Sequence, residues 1–328
     1  MKASGGVLAG WVLSAALAAC APPPAPLPSG PMPAGDGVAI QTTPVPLNPD
    51  DPGQARLGDF VYAGGVALAS DQTSRLHGLS DVVVRGDRLW AISDDGDAFE
   101  GRLVLDKAGR LVGVTNGRLT ALTGPDGKPL QGKAFGDAEG LAILPNGDRL
   151  VSFEREHRIW RYPAEGGPPV PAPMPEVAMA ENDGMEAITA DPEVAPDAYA
   201  VGVEATGAVF ACRLSAKCRQ IETVEKTDDF GLVAMTKGPD EHRVTMLRAW
   251  DPLRGNRIVV RVKPPKGERA DLALARPLTV DNFEGAAAVA GPGGALRLYI
   301  LSDDNFQSSQ RTLLLAFDWK PPNPAGAR

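Results

Sequence analysis

Three cysteines, three histidines and an aromatic fraction of 5% are all that this chain of 328 residues holds of the side chains that most often carry metal, redox and stacking chemistry. His77, His157 and His242 lie far apart in sequence, so a histidine-rich zinc or copper centre is excluded. No Gly-x-Ser-x-Gly elbow and no Gly-x-x-x-x-Gly-Lys phosphate loop occurs. Basic tracts are missing too. With 33 Lys and Arg against 41 Asp and Glu, net charge is −8, which argues against nucleic acid as a partner. A small anionic substrate would need a local positive site.

Long apolar runs are also scarce. The one near the start, Val7–Leu17, is shorter than the roughly 20 residues a spanning helix needs. It follows Lys2 and precedes Leu17-Ala18-Ala19-Cys20, the layout of an export signal over residues 1–20. The last four residues resemble a bacterial lipobox, in which Cys20 would become the lipidated first residue. The resemblance implies a lipoprotein anchored through Cys20 at the periplasmic face of the outer membrane, with the inner membrane or the cell surface as alternatives. Proline is then dense to Pro52, so residues 21–56 are expected to form an extended disordered tether. The folded domain is expected over 57–320, with a disordered tail at 321–328. Cys212 and Cys218 flank five residues in an expected hairpin; in an exported protein they read as a disulfide.

What the chain has in abundance is glycine, proline and short apolar runs of strand character. Val82-Val83-Val84, Leu89–Ser93, Leu141–Leu144 and Leu150–Phe153 are joined by Arg85-Gly86-Asp87 or Asn146-Gly147-Asp148 turns. No helical period persists. The segments opening at Gly78, Asp137, Gly184, Gly231 and Asn282 align with one another, at a spacing of roughly 50 residues, in the range of propeller repeats. The expected fold is therefore all-β, a β-propeller of about five four-stranded blades, with six as the alternative. The segment Gly58–Tyr62 would supply the strand that closes the ring and removes free edges.

In such a ring the first strand of each blade lines the channel. The aligned position carries Ser80, Glu139, Glu186, Val233 and Glu284. Carboxylates converging there would repel one another unless a cation compensates. Ser80, Glu139, Glu186 and Glu284 are thus candidate ligands of a hard cation such as Ca2+, which accepts oxygen donors in flexible geometry. Val233 interrupts the set. The second strands end in Asp94-Asp95, Glu154-Arg155, Arg248 and Asp303-Asp304. Arg155 and Arg248 suit an anion, and Asp94, Asp95, Asp303 or Asp304 could position a water. The same Asp pairs are ordinary turn residues, and the arginines could equally bridge blades. His77 is a further candidate acid or base.

Gly-Leu-Ser-Asp-Val, Ala-Ile-Ser-Asp-Asp-Gly, Asp-Ala-Glu-Gly-Leu-Ala, Gly-Met-Glu-Ala-Ile, Phe-Glu-Gly-Ala and Leu-Ser-Asp-Asp-Asn-Phe, in this order, resemble the phytase-like family described by esterase-like activity of phytase. The resemblance covers nearly all of 57–319. It implies an exported bacterial propeller that hydrolyses phosphate or other esters. A looser likeness is to calcium-activated nucleotidases of the apyrase kind, five-bladed propellers whose channel calcium is held by Ser and Glu. Ser80, Glu139, Glu186 and Glu284 match that order, whereas Val233 departs from it. The expectation is a monomeric, calcium-dependent hydrolase of phosphate esters or anhydrides. A non-catalytic envelope scaffold with a structural calcium, and a metal-dependent lactonase or carboxyl-ester hydrolase, are the alternatives.

Overall fold

The computed structural model describes residues 26–30 and 37–321. Cys20, the export signal and nearly all of the expected tail lie outside them. The first described strands are β1 (Gly37–Val38), β2 (Gln41–Pro44) and β3 (Arg56–Leu57), followed by β4 (Phe60–Ala69). Blade 1 is β5 (Leu79–Arg85), β6 (Arg88–Ser93), β7 (Asp97–Leu105) and β8 (Leu111–Ala121). A short helix, α1 (Lys133–Gly136), leads into blade 2: β9 (Ala138–Ile143), β10 (Arg149–Phe153), β11 (Arg158–Tyr162) and β12 (Val170–Ala172). Blade 3 is β13 (Ala187–Ala190), β14 (Ala198–Gly202), β15 (Ala208–Arg213) and β16 (Ala216–Thr223). Blade 4 is β17 (Gly231–Lys237), β18 (Arg243–Asp251), β19 (Gly255–Lys263) and β20 (Ala270–Leu274). Blade 5 joins β21 (Asn282–Ala290), β22 (Leu296–Asp303) and β23 (Leu313–Trp319) to β4 from the other end of the chain.

The protein is thus a five-bladed β-propeller closed by an N-terminal strand. Within each blade consecutive strands pair antiparallel through tight turns. Around the axis each innermost strand packs against the next, and β21 packs against β5. The apolar residues alternate to both faces of each blade, so the cores lie between blades. The ring is sealed where β23 pairs with β4, Leu313 opposite Ala67 through Trp319 opposite Phe60. One parallel bridge, Gly64 to Leu111, then fastens β4 to blade 1. Gly64 permits this approach: at its φ of 93°, an added Cβ would meet the Leu111 carbonyl oxygen at 2.3 Å. Cys212 and Cys218 form the expected disulfide across the β15–β16 hairpin. Among the described residues no helix is long and apolar enough to cross a membrane.

The expected tether needs correction at its C-terminal half. Residues 37–57 are part of the fold: β2 and β3 pair with β4, and β1 pairs with β8. A proline-rich segment lacks some N–H donors but keeps every carbonyl. Here those carbonyls are used. Tyr62 Oη donates to the Val45 carbonyl at 2.6 Å, Thr279 Oγ1 to that of Pro46 at 2.6 Å, and Thr279 N to that of Leu47 at 2.8 Å. Leu47 is 0% exposed in the core of blades 4 and 5. Replacing Leu47 by Ala should cost about 2–5 kcal/mol, read as a fall in chemical-denaturation midpoint. An unchanged midpoint would return this segment to the status of a tether.

Candidate functional site

The start of each blade follows one local rule. In β5, β9, β17 and β21 the pairing with the second strand skips one residue, and that residue is Ser80, Glu139, Val233 or Glu284. Such a bulge leaves its residue out of the ladder and re-aims its side chain. In blade 3 Glu186 sits just before β13 at the same offset. The Gly184 carbonyl accepts Glu204 N at 3.1 Å there, as that of Asp137 accepts Glu154 N and that of Gly78 accepts Asp94 N, both at 2.9 Å. Asp94, Glu154, Glu204, Arg248 and Asp303 are therefore equivalent second-strand ends, stacked on the bulge ring at one mouth of the channel. The sequence alignment of the blades holds, with the second-strand ends forming a second ring beside the bulge residues.

The two rings are interleaved. Glu154 leans over Gly184 and Glu204 over Gly231, at the entry of the following blade; a Cβ on residue 231 would come within 2.4 Å of Glu204 Oε1. Carboxylate oxygens of Asp137, Glu139 and Glu154 lie within 4.8 Å of one another, as do those of Glu154, Glu186 and Glu204. Glu154 is common to both groups. One oxygen here, Glu186 Oε2, is buried without a hydrogen-bond partner. These acidic residues form a cluster that could bind a metal, and the all-oxygen donor set is that of a hard cation.

Blade 4 departs from the rule in both rings, and the two departures compensate. Val233 is buried in the apolar core of blades 4 and 5, and Arg248 replaces the acid above it. The Arg248 guanidinium lies among the carboxylates, paired with Glu284, 3.5 Å from Glu204 and 4.0 Å from Glu186. It also donates to Asn282 Oδ1 at 2.9 Å, and Asn282 Nδ2 donates to Glu284 at 2.9 Å. Of the expected ligand set, then, Glu139 and Glu186 come together with new neighbours. Glu284 is engaged by Arg248, and Ser80 Oγ donates to the Gly78 carbonyl at 3.3 Å.

The opposite arc has its own cations. Lys133, on α1, pairs with Asp94 and lies 3.1 Å from Asp137; Arg155 Nε donates to Asp137 Oδ2 at 2.6 Å. Arg155 takes a positive φ of 57° in its turn. Asp95 pairs with Arg75 at 3.2 Å, and His77 is 3.9 Å from it, edge-on to Phe306. Asp304 accepts Gly78 N at 3.1 Å and Thr312 Oγ1 at 3.0 Å, which makes it a strut between blades 5 and 1. Asp81 is another strut. It accepts Val82 N at 2.7 Å and Leu141 N at 2.8 Å, and burial holds its carboxyl well above the usual range.

Crowding shows in the titration of these groups. Burial, then Glu186 and Asp137, push Glu139 well up; burial and Glu204 do the same to Glu186. Glu154 is pushed up to about 7 by burial, Asp137 and Glu204, and Asp94 to about 7 by burial and Asp303. Asp303 rises to about 6, chiefly by burial. Burial lowers His77. Burial pulls Lys133 down, but Asp94 and Asp137 outweigh it and keep its ammonium charged.

Sequence reasoning missed Asp137, Lys133, Glu154 and Glu204. The signal for two of them was present: Glu154 and Glu204 stand at the second-strand ends alongside Asp94 and Asp303. Nothing local marks Lys133, which enters from the short helix α1 between blades 1 and 2.

The phytase-like family, described as esterase-like activity of phytase, matches residues 74–306. The chain belongs to this family. No curated protein matches it. Among solved structures, a protein with a provisional gluconolactonase name is 12% identical, with a TM-score of 0.46, over 88% of this chain and 94% of that one. Virginiamycin B lyase from Staphylococcus aureus is 12% identical, with a TM-score of 0.43, over 86% of this chain and 100% of that one. The extracellular domain of a provisionally named one-component system from B. thetaiotaomicron is 12% identical with a TM-score of 0.39; this chain spans 31% of its length.

The raised carboxyls fix the sign of a pH effect. Groups whose pKa rises on folding favour the folded state below their unfolded pKa, and this support fades as pH rises through the folded value. For Glu154 and Asp94 that window runs from about 4 to about 7. Cation-free protein should therefore lose a few degrees of Tm between pH 5 and pH 8, and millimolar calcium should restore it at pH 8. A Tm flat across that range, with or without calcium, would contradict the electrostatic account.

Proposed function

We propose that this propeller is a calcium-dependent hydrolase of phosphate esters or anhydrides, acting at the acidic mouth of the channel. The observation that carries the proposal is the arc of Asp137, Glu139, Glu154 and Glu186. It brings carboxylate oxygens within 4.8 Å of one another, and among them Glu186 Oε2 is buried without a hydrogen-bond partner. Family membership supports ester hydrolysis as the reaction class. Asp137, Glu139, Glu154 and Glu186 would hold the ion. Bound calcium supplies Lewis-acid polarisation of a phosphoryl oxygen.

The remaining work falls to the chain's own groups. Lys133 and Arg155 stand at the rim with 46% and 31% of their side chains exposed. Lys133 is tied to Asp94 and Asp137, Arg155 to Asp137 and more loosely to Glu181, and both would meet an anion from their exposed sides. Asp94, with a pKa of about 7, is suited to take a proton from an attacking water and to release it near neutral pH. Arg248 neutralises Glu186, Glu204 and Glu284 instead of binding substrate. It fixes the far side of the ring so that the open arc lies over blades 1 to 3. The export signal and the lipobox-like Leu17–Cys20 run support attachment to the periplasmic face of the outer membrane.

Purified protein should release phosphate from a panel of phosphomonoesters and nucleotides in the presence of calcium. Glu139→Gln should lower kcat/KM at least ~100-fold, on the scale of lost catalytic groups, and abolish the calcium-induced rise in Tm. If the wild type turns over no phosphate ester, carboxyl ester or lactone with calcium present, yet keeps the rise in Tm, the ion is structural and the protein is a binding module.

A further inference from the structure

Blade 4 reaches further from the ring than the function above requires. Strands β18 and β19 pair up to Asp251 opposite Gly255, and the tip carries Trp250 and Leu253, 64% and 92% exposed. The tip is held firmly. Asp251 accepts Leu253 N at 3.1 Å and Arg254 N at 2.9 Å, and pairs with Arg254 and Arg257 at 2.7 and 3.4 Å. Trp250 thus presents an exposed aromatic surface on a braced hairpin. It forms one wall of a cleft of about 600 Å³ that runs from the tip to the segments around Asn282 and Arg311.

The other walls have a distinct chemistry. Arg276 and Arg311 bring two guanidinium groups, and Asn256, Asn305 and Gln310 bring side-chain amides. The Arg311 charge is shared with Asp281, 3.5 Å away. Arg276 makes no ion pair among the described residues. Its guanidinium lies over the backbone of Gly255, where an added Cβ would meet it at 3.3 Å. The cleft therefore holds a local positive charge in a chain of net charge −8, beside a ring crowded with carboxylates. Asn282 links the two places, lining the cleft while bonding Glu284 and Arg248.

We infer that this cleft is a binding site for an acidic sugar. The pyranose face would stack on Trp250, the carboxylate or phosphate substituent would meet Arg276, and the hydroxyls would bond the amides. An indole face suits the C–H face of a sugar ring, amides both donate and accept as hydroxyls do, and a guanidinium matches a two-oxygen anion. A peptide partner would want either a longer apolar patch or an open strand edge, and the cleft walls supply neither.

The test is equilibrium binding by calorimetry and tryptophan fluorescence. Four probes are used: oligogalacturonate, glucose 6-phosphate, neutral maltohexaose and AMP. At least one of the two acidic sugars should bind, and maltohexaose should bind at least ~10-fold more weakly, a difference of about 1.4 kcal/mol. Whichever acidic arm binds identifies the anion as carboxylate, phosphate or both. Trp250→Ala and Arg276→Gln should each weaken that binding at least ~10-fold with Tm unchanged, since both side chains are exposed. No binding of either acidic sugar, equal binding of the neutral one, tighter binding of AMP, or indifference to both substitutions would overturn the assignment. Binding is read without turnover, so its failure and the failure of ester hydrolysis are separate results.

Discussion

Repulsion among carboxylates at one mouth of the channel is the constraint on which the rest of the site depends. Asp94, Asp137, Glu139, Glu154, Glu186, Glu204, Glu284 and Asp303 all stand at blade starts or second-strand ends. Several are buried, and burial beside like charges disfavours their ionised forms. The structure provides three kinds of relief. Arg248 quiets the blade 4 and 5 side, Lys133 and Arg155 quiet Asp94 and Asp137, and burial with mutual repulsion raises Glu139, Glu154 and Glu186 toward their protonated forms. A bound cation would be a fourth, and Glu139, which forms no ion pair among the described residues, lies where it would be needed, between Asp137, Glu154 and Glu186.

The fold makes this crowding unavoidable. Four blades begin with an extra residue in the innermost strand, and in blade 3 Glu186 holds the same offset just before its strand, so the blade starts stand at one height. Glycines at the blade entries leave room for the acid of the preceding blade to lie across them. Closure of the ring by β4 and support from residues 37–57 hold the five starts at fixed distances. Stability of the ring and geometry of the site are therefore one problem, and blade 4 solves it differently by exchanging two acids for a valine and an arginine.

Much of this was legible in the residues. Strand runs separated by turn chemistry gave the propeller, and the recurrence of Glu139, Glu186 and Glu284 at aligned positions gave the inner ring. Two kinds of information were not legible. A single alignment column shows which residues share a height, not which side chain crosses between columns, so Arg248 read as an anion binder and Val233 as a missing ligand. Composition shows that a proline-rich stretch lacks donors, not that its carbonyls will be used, so Leu47 read as part of a tether. In both cases the deciding contacts join residues tens to hundreds of positions apart.

The central claim is that the ring carries its own cation at blade 4 and takes another over blades 1 to 3. Anomalous scattering from crystals soaked with a lanthanide in place of calcium tests it most directly. The account predicts a peak bounded by Asp137, Glu139, Glu154 and Glu186, with Arg248 still seated against Glu284. A peak between Ser80 and Glu284 with Arg248 displaced, or no peak at the ring, would contradict it.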